Sequence, residues 1–89
     1  MTTRAHAVIP GRVQGVFFRG ALSERARSLD VAGWVRNNPD GTVETVLEGD
    51  DERVESLLFW CRRGPSGASV DDVEVTHDDP RGERGFAVR

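Results

Sequence analysis

Apolar residues recur along this chain with two different periods, and the alternation between them predicts the order of its elements. Ala5, Ala7 and Ile9 alternate with His6 and Val8, a period of two that predicts a first strand over Ala5 to Val13. Pro10 falls inside that run. Proline has no N–H to donate, so the strand either ends near it or absorbs it in a bulge. Phe18, Leu22, Ala26 and Leu29 then fall on one helical stripe, with Glu24, Arg25, Arg27 and Ser28 on the other side. This predicts a helix over Phe18 to Leu29. Asp30 stands at its exit, where a left-handed residue is common and aspartate tolerates that conformation. Val31 to Asn38 reads as a second strand, with Trp34 and Val35 on opposite faces. Pro39-Asp40-Gly41 is a turn, and Thr42 to Glu48 is a third strand, so the two should form a hairpin. Val43 and Leu47 share one face of the third strand, and Glu44, Val46 and Glu48 share the other.

Gly49-Asp50-Asp51-Glu52 opens a second helix. Aspartate is a favoured N-cap, and acids in the first turn suit the helix dipole. Val54, Leu57, Leu58 and Cys61 form the apolar stripe, which Phe59 and Trp60 extend toward the helix edge. Arg62 and Arg63 suit the last turn, and Gly64-Pro65 stops it. After a Gly-, Pro- and Ser-rich loop, Val70, Val73 and Val75 mark a fourth strand. His77 to Gly82 is a turn region, and Gly85 to Arg89 is short and extended. The order is βαββαβ plus a final short strand, with no internal repeat. Two amphipathic helices should therefore cover one face of an antiparallel-dominated sheet, an α+β ferredoxin-like sandwich forming one domain over residues 1–89. Right-handed crossovers put the first and third strands side by side in its centre. The ends of the first and second strands then come close together.

Hydrophobic content of 37% and charged content of 30% fit a globular protein rather than a disordered one. There is no apolar run behind a basic start and no stretch long enough to span a bilayer, so a cytoplasmic location is expected. The one cysteine, Cys61, cannot form an internal disulfide, and no Cys/His spacing suits a metal. Cys61 reads as a small core residue, and the widely separated His6 and His77 as structural or surface residues. All 12 basic residues are arginine, against 15 acidic ones, for a net charge of −3. That balance opposes general binding to nucleic acid or to an anionic membrane. It leaves room for a small anion, because local arginines and backbone amides can outweigh the global sign.

One stretch is built for such an anion: Gly11-Arg12-Val13-Gln14-Gly15-Val16-Phe17-Phe18-Arg19. It joins a strand to a helix start, where several N–H groups lack partners at the positive end of the helix dipole. Gly15 lets the backbone approach a ligand, and Arg19 adds a planar, always charged fork suited to phosphate or carboxylate oxygens. The competing reading is an ordinary loop with a solvated arginine. A second stretch, Gly33-Trp34-Val35-Arg36-Asn37 followed by Asp40-Gly41, decides between them. Together the two stretches resemble the signatures of the acylphosphatases. The similarity continues through Gly64-Pro65 and Val70 to Val75 to the closing Phe86 to Arg89.

The resemblance implies hydrolysis of the carboxyl-phosphate bond of small acyl phosphates without metal or organic cofactor, and a monomer is expected. It implies that Arg19 binds the phosphoryl group and that the N–H groups of Gly15, Val16, Phe17 and Phe18 cradle its oxygens. It also implies that Asn37 orients the attacking water. The chemistry is consistent with that set. An acyl phosphate has a stabilised carboxylate as its leaving group, and phosphoryl transfer mainly needs positioning and charge stabilisation on the equatorial oxygens. Gln14 reads equally as a brace for the loop or as a substrate contact. Asn38, directly before Pro39, fits a turn-forming role. Arg12 and Arg36 read as solvated, and Trp34, Phe17 and Phe18 as packing residues. Two other functions fit the same scaffold: a regulatory or carbamoyl-phosphate-handling module, and an RNA-binding domain. The second would need aromatic side chains on the central strands, which here carry Ala, Val, Ile, Thr and Glu. Pro10 and Asp30 depart from the family pattern without touching the expected site.

Overall fold

The first strand, β1, runs over Thr2–Ile9 and stops at Pro10 in the computed structural model, which describes residues 1–89. Beyond the proline the chain changes partner. Gly11–Arg12 (β2) leaves the main sheet and pairs antiparallel with Ser69–Val70 (β5), and the Pro10 carbonyl accepts the N–H of Asp71 at 3.0 Å. The expected strand over Ala5 to Val13 is thus two strands. The break falls where the chain has no N–H to give to the central ladder.

Helix α1 spans Phe18–Ser28 and is followed by Ala32–Asn37 (β3) and Val43–Asp50 (β4). Asp30 takes the left-handed conformation expected at the helix exit, with φ 56°. The hairpin of β3 and β4 is in register from Ala32 opposite Glu48 to Asn37 opposite Val43. Strand β4 extends past the expected Glu48 because Gly49 and Asp50 pair with Thr3 and Thr2 of β1. Helix α2 (Asp51–Cys61) starts directly after it. Asp50 occupies the N-cap position but makes no side-chain cap bond. The N–H of Asp51 donates instead to the Met1 carbonyl at 2.9 Å.

The expected fourth strand is also divided. Val70 belongs to β5, while Glu74–Asp78 forms β6 on the outer edge beside β1. His77, expected in a turn, lies within β6. Phe86–Val88 forms β7, parallel to β3. The main sheet has the order β6-β1-β4-β3-β7, with β1 and β4 central as the right-handed crossovers require. A second, two-stranded sheet of β2 and β5 flanks it. This is the expected ferredoxin-like sandwich with its extra C-terminal strand.

Between sheet and helices lies one cluster of 17 buried apolar residues. Ala5, Ala7 and Ile9 enter it from β1, Val43 and Leu47 from β4, and Phe18, Leu22 and Ala26 from α1. Val54, Leu57, Leu58 and Cys61 enter it from α2, so both predicted helical stripes are core. Each fully buried Leu or Val contributes roughly 1.5–3 kcal/mol. The opposite sheet face carries Val46 and Trp34 together with charged pairs. Arg4 and Glu48 lie there at only 6% and 5% exposure. Glu48 accepts the N–H groups of Arg81 and Glu83, both at 2.8 Å, and pairs with Arg4 at 3.1 Å. Arg4 also reaches Glu83 at 3.1 Å, so the loop between β6 and β7 is tied down over the sheet.

Candidate active site

The loop after β2 is the stretch expected to bind an anion. Gly15 has φ 76° and Phe17 φ 63°, so the backbone turns through two left-handed residues before α1 begins. Phe17 is the N-cap, and its carbonyl accepts the N–H of Ala21 at 3.0 Å. No side chain caps the helix start, and its first turn holds no acidic residue. The dipole and the first N–H groups are therefore left uncompensated by the protein. That arrangement favours an anion.

Arg19 stands one residue into this helix. Its Nη1 donates to the main-chain oxygen of Arg89 at 3.0 Å, which orients the guanidinium across the gap between α1 and the sheet. A guanidinium has five N–H donors, so most of the fork remains for a ligand. Asn37 comes from the far side, as the last residue of β3, where its pairing with Val43 fixes it at the sheet end. Gly15, Phe17, Phe18, Arg19 and Asn37 line one cleft of about 320 Å³. Of the expected site residues only Val16 does not line it, and its side chain packs against the core.

Gln14 ties the two halves of the cleft together. Its Nε2 donates to the carbonyls of Asn38 (2.8 Å) and Thr42 (3.0 Å). Asn38 in turn holds the hairpin turn, with its Nδ2 donating to Thr42 Oγ1 at 3.0 Å and its N–H to the Thr42 carbonyl at 2.8 Å. Asn38 is thus the turn-former, as its place before Pro39 implied, and the neighbouring Asn37 is carried to the cleft.

The charged surroundings differ from expectation at Arg36. It is not simply solvated. Its guanidinium lies 5.2 Å from the Trp34 ring centroid and donates to Glu44 Oε1 at 2.8 Å. Glu44 also accepts from His6 Nε2 at 2.6 Å. The His6 bond, helped by Arg36 against the opposing effect of burial, lowers the Glu44 carboxyl to about 2. Arg89 covers the same indole, at 4.4 Å from the centroid. Trp34, on the sheet face away from the helices, therefore has two guanidiniums against its ring. Phe18 is a packing residue as expected, buried against Trp60 with ring centroids 5.4 Å apart. Phe17 is not: its side chain is 67% exposed at the cleft.

Gly20 and Val88 also line the cleft, and neither carries a local sequence signal for it. Val88 arrives through the parallel pairing of β7 with β3, opposite Val35. That contact spans more than half the chain and has no short-range signature. No group of three or more His, Cys, Asp or Glu residues is assembled in a way that could hold a metal ion.

Fold and cleft together define a class: a ferredoxin-like sandwich with an uncapped helix start facing an amide at a strand end. The acylphosphatase family model matches residues 5–88. The acylphosphatase of Thermococcus kodakarensis is 59% identical over 85 residues, covering 96% of this chain and 93% of that protein. The acylphosphatase of Haloarcula marismortui is 52% identical over 87 residues, covering 98% of this chain and 96% of that protein. The solved structure of an acylphosphatase from Coxiella burnetii superposes with a TM-score of 0.94 at 35% identity, covering 99% of this chain and 93% of that one. The chain belongs to the acylphosphatase family.

Proposed function

We propose that this protein hydrolyses the carboxyl-phosphate bond of small acyl phosphates, with residues 1–89 acting as one catalytic domain. One observation carries the assignment of roles: a single cleft brings Arg19 and the uncapped start of α1 to Asn37. In this reading the N–H groups from Gly15 to Phe18 and the Arg19 fork hold the three equatorial phosphoryl oxygens. These donors act where negative charge resides in the transition state. The Asn37 amide orients a water for in-line attack. The water oxygen bonds to phosphorus as the bond to the acyl oxygen breaks. The carboxylate leaves with the bonding pair, and the water's proton passes to phosphate or solvent. A carboxylate is a weak base, so its departure needs no general acid.

The test is release of inorganic phosphate from acetyl phosphate in the presence of a chelator, for the parent, Arg19→Ala and Asn37→Ala. Each variant is expected to lose on the order of 10²–10³ in kcat, the range for removing one preorganised transition-state donor. Arg19→Lys should also be impaired, because a point charge does not reproduce the fork. Inorganic phosphate should still inhibit Asn37→Ala, since that residue serves the water rather than the phosphate. Full activity in both alanine variants, or a requirement for added metal, would sink the mechanism. The same reading makes the protein a monomeric cytoplasmic enzyme acting on a small molecule. Sedimentation at working concentration checks the first property and cell fractionation the second.

A further inference from the structure

Asn37 lines the cleft, but the side chains of its two neighbours, Arg36 and Asn38, meet each other behind it. Arg36 Nε donates to Asn38 Oδ1 at 3.1 Å, so a side-chain staple closes over the backbone of Asn37. The same guanidinium is held from β4. Its Nη2 and Nε both donate to Glu44 Oε1, at 2.8 and 3.2 Å, and Arg36 stands directly opposite Glu44 in the register. The second oxygen of Glu44 accepts His6 Nε2 of β1 at 2.6 Å. Three adjacent strands, β1, β4 and β3, are thereby laced to the two residues that flank Asn37. Burial does not account for the arrangement, because the Arg36 side chain is 47% exposed. None of His6, Arg36 and Glu44 lines the cleft, so none is placed to touch substrate.

We propose that Arg36, anchored by Glu44 and His6 on the open face of the sheet, is a positioning residue that fixes the direction in which Asn37 presents its amide to water. The inference rests on the hydrolytic reading above and extends it to residues outside the cleft. An amide aims a water through the backbone that carries it, so a rotation at the end of β3 misdirects the attack. Such chemistry is sensitive to placement, and a shift of about 1 Å can cost on the order of 10² in rate. Arginine suits the task because its donors form a rigid planar fork, which here spans Asn38 and Glu44 at once. A lysine ammonium is a point charge and does not reproduce that fork. The competing role for Arg36 is to draw in an anionic substrate by its charge. In that role Glu44 would oppose it, and the two residues would act on KM with opposite signs. As parts of one staple they act on kcat with the same sign.

The test compares kcat and KM for acetyl phosphate, and inhibition by inorganic phosphate, in the parent, Arg36→Ala, Arg36→Lys, Glu44→Ala, Asn37→Ala and the double variant Arg36→Ala/Asn37→Ala. Arg36→Ala and Glu44→Ala are each expected to lower kcat roughly tenfold, with KM and phosphate inhibition at parent values. Unchanged phosphate inhibition shows that the phosphate end of the site is intact in a slow variant. Arg36→Lys, which keeps the charge and loses the fork, should remain well below the parent. In the Asn37→Ala background, Arg36→Ala should have no further effect, because it acts through that amide alone. If Arg36→Ala raises KM and Glu44→Ala lowers it, with kcat unchanged in both, the arginine draws in substrate and the proposal is wrong. A further tenfold loss on top of Asn37→Ala would also overturn it, since Arg36 would then act elsewhere. Both of these results leave the hydrolase reading standing. If the parent releases no phosphate, the hydrolase reading fails first and the positioning role with it.

Discussion

Two charged side chains near the cleft are treated in opposite ways. Glu44 is surrounded by donors, taking His6 Nε2 at 2.6 Å and Arg36 Nη2 at 2.8 Å. Arg19 donates to a main-chain oxygen of Arg89 and meets no acidic side chain in the cleft lining. The Glu44 pairing has a consequence in acid. Its carboxyl is held at about 2 in the folded state, against an ordinary value of 4.5. A depressed folded pKa gives stability that is complete above the ordinary value and is lost as pH falls toward the folded one. The window is therefore from about pH 4.5 down to about pH 2, and the contribution is at most roughly 3 kcal/mol. Urea midpoints measured across that window should fall more steeply for the parent than for Glu44→Gln. Parallel profiles would show that the pairing contributes nothing. Residue types and motif spacing made Arg19 and Asn37 legible. The His6–Glu44–Arg36 cluster was not legible, because its members meet only across three adjacent strands.

At the scale of elements, both helices could be read from one apolar stripe each, because a helix buries a face that its own sequence defines. The strand ends could not. Strand β4 extends to Asp50 because Thr2 and Thr3 of β1 are there to pair with it. Val70 and Val75, which look like one strand, are drawn to different partners, β2 and β1. The loop that follows β6 is held by Glu48. Burial alone would push that carboxyl up, but the N–H groups of Arg81 and Glu83 and the Arg4 guanidinium outweigh it and hold the group below the ordinary range. Glu48→Ala would leave Arg4 with only the more exposed Glu83 as partner and take away the acceptor of the Arg81 and Glu83 N–H groups, freeing the loop before β7. A loss of about 1–3 kcal/mol is expected, the range for leaving buried donors without their acceptor. Denaturant unfolding measures it, and parent-like stability would mean that the loop is held by other contacts. Since Val88 follows that loop into the cleft, Glu48→Ala should also raise KM.

Across the whole molecule, the cleft lies at the junction of both layers, while the one thiol lies deep between them. Burial pushes Cys61 up to about 12. It should be inert to thiol reagents at neutral pH and become reactive only with global unfolding, so labelling with and without denaturant reads the closed core directly. Rapid labelling of the native protein would show that α2 opens locally. The sequence by itself determined the order of elements, the two helical stripes, the glycine–arginine loop and the asparagine at a strand end. Each is set by neighbours within a few positions, through periodicity, turn chemistry or the steric freedom of glycine. Tertiary structure alone decided that Pro10 hands the chain to a second sheet, that Gln14 locks the loop to the hairpin turn, and that Val88 closes the cleft beside Arg19. It also exposed Phe17, which the sequence had read as packing. Whether an apolar ring is covered depends on which distant segments reach it. At the left-handed start of α1 no segment covers the ring.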